Sequence, residues 1–170
     1  VYSRTEESAR ALAQVVEATY TTDLSSVVTD AQLYIVSLKD AAFVQLLPEI
    51  VAGKENGLWV HTAGSIPMDV WADKVNRYGV LYPMQTFSKQ RVVDFQHIPI
   101  FVESNSEADT RFLKAVASVL SKQVYEATSE QRKNLHLAAV FTCNFTNHMY
   151  ALAAGLLKKH QLSFEIMLPL

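Results

Sequence analysis

An apolar strand and a turn of small residues follow each other in Leu58-Trp59-Val60-His61-Thr62-Ala63-Gly64-Ser65. A second apolar run occupies residues 33–37, and residues 41–52 between the two carry apolar side chains at helical spacing. Parallel strands that are covered on both faces have such continuous apolar sequences. This order predicts two neighbouring parallel strands joined by a crossover helix.

The same alternation continues on both sides of this unit. Residues 1–3 end a strand and Thr5 fits a helix N-cap, while further strands are predicted at 79–82, 98–102 and 123–125, with a helix at 107–120. The polar residues 87–96 are expected to form a surface loop. We therefore predict an α/β fold in which helices cover both faces of a mostly parallel sheet.

From residue 128 onwards the pattern is helical only. Residues 128–131 form a capping-box pattern, and the chain then runs to Lys159 with no Pro and with Gly155 as its one Gly. Apolar residues cover nearly every face of this stretch, so it is expected to be buried in a helical domain or a subunit interface. We predict an all-α domain after the sheet, with a division into residues 1–127 and 128–170.

The composition excludes several classes of partner. The net charge of −2 and the scattered Lys and Arg residues indicate no nucleic-acid or anionic membrane surface. No apolar run reaches the ~20 residues that span a bilayer. The single cysteine, Cys143, excludes an intrachain disulfide and fits a reducing, cytoplasmic setting. Because the chain begins inside a strand and ends in apolar sequence, we expect a fragment of a longer protein.

The first candidate site is the strand tip Val1-Tyr2-Ser3-Arg4-Thr5. In dinucleotide-binding folds the end of the second strand meets the adenosine ribose, where an Arg suits the 2′-phosphate of NADP. Ser3, Arg4 and Thr5 are therefore candidate cofactor-binding residues, with the helix start adding positive potential. Taken alone, Arg4 is better explained as a solvated residue at a helix start, and only the βαβ series that follows favours the cofactor role.

The second candidate site lies at the ends of two predicted strands. Ser37 and Leu38 follow one strand, and Thr62, Ala63, Gly64 and Ser65 follow the next. Ligands of open parallel sheets bind outside the carboxyl ends of the strands, and small residues allow a close backbone approach. These residues are candidate cofactor ligands, although ordinary turn chemistry also explains them.

The third candidate site lies on the predicted C-terminal helix. His136, Val140 and Asn144 are four residues apart and so share one side of a helix. An imidazole and an amide that face a cofactor could supply a proton beside hydride transfer, which makes His136 and Asn144 candidate catalytic residues. Hydrogen-bonded core or interface polar residues are the alternative. The five histidines show no metal-ligand spacing, so no metal site is predicted.

Three motifs together resemble one protein family. They are Val60-His61-Thr62-Ala63-Gly64-Ser65-Ile66-Pro67, Tyr82-Pro83-Met84-Gln85-Thr86-Phe87 and Leu135-His136-Leu137-Ala138-Ala139-Val140-Phe141-Thr142-Cys143-Asn144-Phe145. This set resembles the bacterial NADP oxidoreductases that join a Rossmann-like domain to the helical domain DUF2520. These are similar to pyrroline-5-carboxylate reductases, F420-dependent NADP reductases and 6-phosphogluconate-dehydrogenase-like enzymes.

The resemblance implies a Rossmann-like NADP-binding domain over residues 1–127, whose first strand and Gly-rich turn would precede this chain. It also implies a truncated helical domain over residues 128–170, further C-terminal helices and a homodimer formed through that domain. In the hydroxyacid-dehydrogenase relatives a catalytic Lys lies one turn before an Asn. If Asn144 matches that Asn, Val140 occupies the Lys position, so that mechanism does not carry over and His136 is the nearby candidate for proton transfer.

Two functions are therefore open. The first is an enzyme that transfers a hydride between NADP(H) and a small carbonyl or imine substrate. The second is a non-catalytic NADP-binding sensor or scaffold, which the missing Lys would suit.

Overall fold

A computed structural model describes residues 1–88 and 91–169 of the chain. Lys89 and Gln90, which belong to the expected surface loop at 87–96, lie outside the described residues, as does Leu170. Within the described residues the sheet-forming part consists of α1 (Glu6–Val15), β1 (Leu33–Val36), α2 (Asp40–Val51), β2 (Leu58–His61), β3 (Arg77–Pro83), β4 (Ile100–Ser104), α3 (Glu107–Leu120) and β5 (Val124–Glu126). The helical part consists of α4 (Ser129–Ala139), a π-helical segment (Val140–Phe145) and α5 (Thr146–Lys159).

The five strands form one sheet in the order β1-β2-β3-β4-β5. The pairs β1/β2, β2/β3 and β4/β5 are parallel, and β3/β4 is antiparallel. The predicted mostly parallel α/β sheet is confirmed. The connection between β3 and β4 is compatible with the antiparallel direction, because an antiparallel neighbour needs no crossover helix and the described part of residues 84–99 contains one short 3-10 turn, Phe95–His97.

Strand β2 shows how the sequence builds two layers. Its four residues are all buried and point alternately to opposite faces, as the period of a strand requires. Trp59 belongs to the core on the α2 face, which also contains Phe43 and Trp71, whereas Leu58 and Val60 belong to the core on the α3 face. Helices thus cover both faces of the sheet, as predicted.

Strand β1 differs from this expectation. Its apolar sequence predicts burial on both sides, but Ile35 is 53% exposed whereas Tyr34 and Val36 are buried. Strand β1 is an edge strand, and its two faces are covered unequally: Tyr34 and Val36 belong to the core on the α2 face, whereas on the other face Leu33 is partly buried and Ile35 is exposed.

The helical part begins as predicted and then departs from expectation. Thr128 and Gln131 form the predicted capping box at the start of α4. The expected single helix is interrupted by the π-helical segment, and the expected burial is not found within this chain, since Arg132 is the one buried residue described in α4 and α5 has none. The division predicted at 127/128 lies between β5 and α4 and stays a prediction. None of the described helices is both long and apolar enough to cross a membrane.

Candidate functional site

A cleft of about 540 Å³ lies at the carboxyl ends of the parallel strands. Ser37 follows β1, Thr62 and Gly64 follow β2, Tyr82 lies near the end of β3, and His136 on α4 closes the cleft. The Thr62 hydroxyl donates to the Ser37 hydroxyl oxygen at 3.2 Å, which links the ends of β1 and β2. The structure therefore brings four of the predicted site residues, Ser37, Thr62, Gly64 and His136, into one cavity of the size that small ligands occupy.

Tyr82 and His136 form a pair in this cleft. The Tyr82 hydroxyl oxygen and His136 Nδ1 lie 3.2 Å apart, and the two rings meet edge to face with their centroids 6.3 Å apart. A Cβ atom at residue 64 would lie 2.7 Å from His136 Nδ1 and 2.8 Å from Tyr82 Cζ, which is closer than real Cβ contacts. Gly64 is thus required here by the close approach of both rings.

Burial affects the two groups differently. Tyr82 is 8% exposed, and its removal from water raises the pKa of its phenol, which the positive charge of Arg132 partly opposes. His136 is half-buried and so keeps contact with solvent. The pair therefore joins a buried hydroxyl that stays protonated at neutral pH to an imidazole that solvent can reach.

A buried ion-pair network fixes α4 over the cleft. The side chain of Arg132 is 1% exposed; its guanidinium pairs with the Glu103 carboxylate on β4, and Nη2 donates to the carbonyl oxygen of Ile66 at 2.6 Å. The Ser129 amide and hydroxyl each donate to Glu103 at 2.8 Å, and the Met68 amide donates to the Ser129 hydroxyl oxygen at 2.8 Å. Helix α4 is thereby attached both to β4 and to the loop that follows β2, which places His136 beside Gly64.

Sequence reasoning missed Tyr82 as a site residue and missed the role of Arg132. Tyr82 was recognised only as part of a family motif, and its partner His136 is 54 positions away. No signal in the sequence marks Arg132, because it stands among the polar residues Gln131, Lys133 and Asn134 in the first turns of α4. The identity of its buried partner depends on how α4 packs on the sheet.

His61, which the sequence places at a strand end, lies in the core instead of the cleft. Its ring packs against Phe43 and Trp71 with centroids 5.5 and 6.2 Å away, and the Ala63 amide donates to its Nδ1 at 3.2 Å. Burial, helped by the positive charge of Arg132, lowers the pKa of His61 to about 4. His61 is therefore neutral at physiological pH and serves the packing of the turn.

The remaining predicted residues of the strand ends make structural contacts. The Ser65 hydroxyl donates to the Asp40 carboxylate at the start of α2, and Leu38 and Ala63 pack against the core on the α2 face. Ser37 and Leu38 also line a second groove of about 680 Å³, which extends to Val1 and Tyr2. Because Ser37 lines both cavities, the groove and the cleft adjoin at the end of β1.

Part of the N-terminal segment reaches this groove, since Val1 and Tyr2 line it. Tyr2 forms an isolated parallel bridge with Thr21, so the strand predicted to end at residues 1–3 is not one of the strands of the sheet. Thr5 occupies the predicted N-cap position of α1, without a side-chain capping hydrogen bond. Ser3, Arg4 and Thr5 do not line the groove. Arg4 is exposed and forms no salt bridge among the residues that the structure describes.

Asn144 is not brought to the cleft. It lies exposed in the π-helical segment, whose wider turn breaks the four-residue spacing that relates it to His136 in an ordinary α-helix. Its catalytic role stays a prediction. In the described residues no group of three or more His, Cys, Asp or Glu side chains could hold a metal ion.

Comparison with known proteins gives one match to a family model. Residues 98–170 match the domain of unknown function DUF2520. No curated protein is similar enough to the chain to count as a match.

Solved structures give matches over nearly the whole of this chain. The "putative NADP oxidoreductase" of Bacteroides fragilis has 70% identical residues and a TM-score of 0.90, with 99% of this chain and 66% of that chain covered. An imine reductase of Myxococcus stipitatus in complex with NADP+ has 18% identity and a TM-score of 0.70, covering 94% and 58% of the two chains. A reductive aminase of Aspergillus terreus, in complex with NADPH and ethyl-5-oxohexanoate, has 19% identity and a TM-score of 0.73, covering 99% and 61%.

The two matches below 20% identity show the shared fold alone. The chain spans less than two thirds of the length of each of these three structures. This chain contains the sheet with its strand-end cleft and the helical part from α4 to α5.

Proposed function

We propose that this chain belongs to the same protein family as the Bacteroides fragilis protein and that its function is the NADP(H)-dependent reduction of a small imine or carbonyl substrate. The observation that carries the proposal is the 70% identity to that protein over 99% of this chain. The cleft at the carboxyl ends of the parallel strands supports it, because nucleotide cofactors bind there in open α/β sheets.

The residues at the strand ends suit a dinucleotide. The hydroxyls of Ser37 and Thr62 can hydrogen-bond its polar groups, and Leu38 offers an apolar contact in the adjoining groove. The small residues Ala63, Gly64 and Ser65 permit a close backbone approach. We assign the 2′-phosphate to Arg4, aided by Ser3 and Thr5 at the start of α1, since Arg4 is an exposed guanidinium without a protein carboxylate partner among the described residues.

The cofactor, when bound, supplies the hydride. His136 supplies the proton from α4, because it lies beside the strand-end loop and keeps contact with solvent. Asn144 is exposed and does not line the cleft, so its proposed amide contact with the polar group of the substrate requires a substrate that extends beyond the cleft.

Binding and turnover measurements with the protein at the full length of its gene test this proposal. We expect NADPH to bind more tightly than NADH, and to be oxidised in the presence of at least one member of a panel of cyclic imines, aldehydes and 2-oxo acids. Tight NADPH binding without oxidation by any member would favour the sensor or scaffold function, and an absence of binding would exclude both functions.

Arg4→Ala tests the cofactor preference. Loss of a charge-assisted hydrogen bond of about 1.5–3 kcal/mol should weaken NADPH binding roughly 10- to 150-fold and leave NADH binding nearly unchanged. The matched control is Arg111→Ala, which removes an exposed Arg on α3 and should change neither affinity. Equal losses of affinity for NADPH and NADH would show that Arg4 does not bind the 2′-phosphate.

We further propose that the protein is a bacterial, cytoplasmic homodimer that associates through the helical region. The support is a set of exposed apolar side chains on the π-helical segment and α5, which are Phe141, Phe145, Met149, Leu152 and Leu156. The free thiol of Cys143 suits a reducing compartment. Sedimentation equilibrium should give a dimer for the protein and a monomer for Leu152→Glu/Leu156→Glu, whereas an unchanged mass would refute this interface.

A further inference from the structure

We propose that Tyr82 is a second catalytic residue, whose hydroxyl gives the proton to the substrate nitrogen or oxygen while His136 Nδ1 replaces that proton. The inference deepens the proposed function and rests on it. Its basis is the 3.2 Å contact between the Tyr82 hydroxyl and His136 Nδ1 in the cleft.

The positions of Tyr82 and His136 give the two side chains different roles in the transfer. Tyr82 lies near the end of β3, lines the cleft and is 8% exposed, so its hydroxyl has little contact with bulk water. His136 lies on α4 and is half-buried, so it can take up a proton from solvent. Together they connect the interior of the cleft with water.

The proton transfer through Tyr82 does not require a phenolate intermediate. As hydride reaches the substrate carbon from NADPH, the O–H bond of Tyr82 breaks and a new N–H or O–H bond forms on the substrate. At the same time the Nδ1–H bond of the His136 imidazolium breaks and the O–H bond of Tyr82 forms again. His136 is left neutral, and a hydronium ion or a buffer acid from the solvent then returns the proton to its Nδ1.

The environment favours this concerted transfer over donation by Tyr82 alone. Burial raises the pKa of the Tyr82 phenol, so a phenolate left in the cleft would be costly. A proton arriving from His136 removes that cost, because no negative charge develops on the Tyr82 oxygen. The close fit of Gly64 against both rings holds them at contact distance.

The experiment compares Tyr82→Phe with Tyr78→Phe. Tyr78 is four positions away on the same strand, so its side chain points to the same face of the sheet as that of Tyr82. It is partly buried, and its hydroxyl has no hydrogen-bond partner among the described residues. We expect Tyr82→Phe to lower kcat for imine reduction about 100-fold with unchanged NADPH affinity, and Tyr78→Phe to change neither. Normal turnover in Tyr82→Phe overturns the relay and leaves the proposed function standing, whereas no turnover in the unchanged protein overturns both.

A double-mutant cycle separates a relay from two independent contributions. Since Tyr82→Phe and His136→Gln interrupt the same transfer, the double variant should be no slower than the slower single variant. Multiplied losses in the double variant overturn the relay.

A measurement without cofactor checks the pair itself. In ¹⁵N NMR spectra of the histidine side chains, the Nδ1 signal of His136 should report a hydrogen bond in the unchanged protein and in Tyr78→Phe. That signal should change in Tyr82→Phe. An identical His136 signal in all three proteins overturns the proposed contact.

Discussion

Gly64 occupies the position where the loop after β2, strand β3 and helix α4 come closest together. An added methyl group at residue 64 would overlap with His136 Nδ1 and with the Tyr82 ring at 2.7 and 2.8 Å. Loop, strand and helix each contribute one of these residues, so their contact depends on the absence of a side chain at this single position.

Gly64→Ala is therefore expected to push the two rings apart and to lower turnover. The matched control is Gly155→Ala on α5, where an added Cβ meets no atom within 4 Å, and where Ala should stabilise the helix by about 0.5–1 kcal/mol. Steady-state kinetics and the His136 NMR signal measure the effect. Full turnover in Gly64→Ala would show that the cleft does not depend on this approach.

His61 gives a prediction about pH. Its folded-state pKa of about 4 lies below the ordinary value of ~6.5, so between these values the unfolded chain binds more protons than the folded one. Stability therefore falls as the pH falls through this window, by about 2 kcal/mol from about pH 7 to about pH 5. Urea unfolding at the two pH values measures it.

The control for this pH effect is a pair of variants. His61→Phe keeps a ring against Phe43 and Trp71 and should lose this part of the pH dependence, whereas His160→Gln changes an exposed residue and should keep it. Equal pH dependence in His61→Phe and in the unchanged protein would contradict the assignment.

At the scale of the elements, the sequence predicts those helices and strands whose formation depends on residues close together in the chain. The strand β2, the helix α3 with its bounds, and the capping box of α4 all follow from apolar spacing and from capping residues, which act over a few positions. The antiparallel direction of β4 was not predicted, because strand direction depends on how the chain returns to the sheet. The π-helical segment was not predicted either, since its sequence continues the apolar pattern of an ordinary helix.

For the candidate site, too, the sequence predicts the residues that local patterns identify but not the contacts that depend on how distant elements pack. Ser37, Thr62 and Gly64 were found because each follows a strand, and the ends of neighbouring parallel strands share one edge of the sheet. The pairing of Tyr82 with His136 was not found, because it requires α4 to lie over that edge. The position of α4 is fixed by Arg132 and Glu103, which are 29 positions apart.

Arg132→Met tests this attachment of α4. Removing one partner of a buried ion pair leaves the Glu103 carboxylate uncompensated, so we expect a loss of about 3–5 kcal/mol in the free energy of unfolding. Lys133→Met on the same helix changes an exposed residue and should cost little. Chemical denaturation measures the free energy of unfolding of both variants. Equal values for Arg132→Met and Lys133→Met would mean that the ion pair does not hold α4 on the sheet.

At the scale of the whole molecule, a two-faced sheet supplies the strand ends, and the helical region supplies the group that closes the cleft over them. The groove along Val1, Tyr2, Ser37 and Leu38 adjoins the cleft at Ser37, so the molecule offers a path from the N-terminal strand tip to the Tyr82–His136 pair. An elongated dinucleotide with its phosphate-bearing end at the strand tip and its reactive end in the cleft fits this arrangement.

The central claim is that this arrangement transfers a hydride from NADPH to a C=N or C=O bond. The most direct measurement uses the full-length protein and NADPH that carries deuterium at the transferable position of the nicotinamide, followed by mass spectrometry of the product. We predict that each product molecule gains one deuterium on the reduced carbon. Tight NADPH binding with no deuterium transferred to any imine, aldehyde or 2-oxo acid of the panel would contradict the claim.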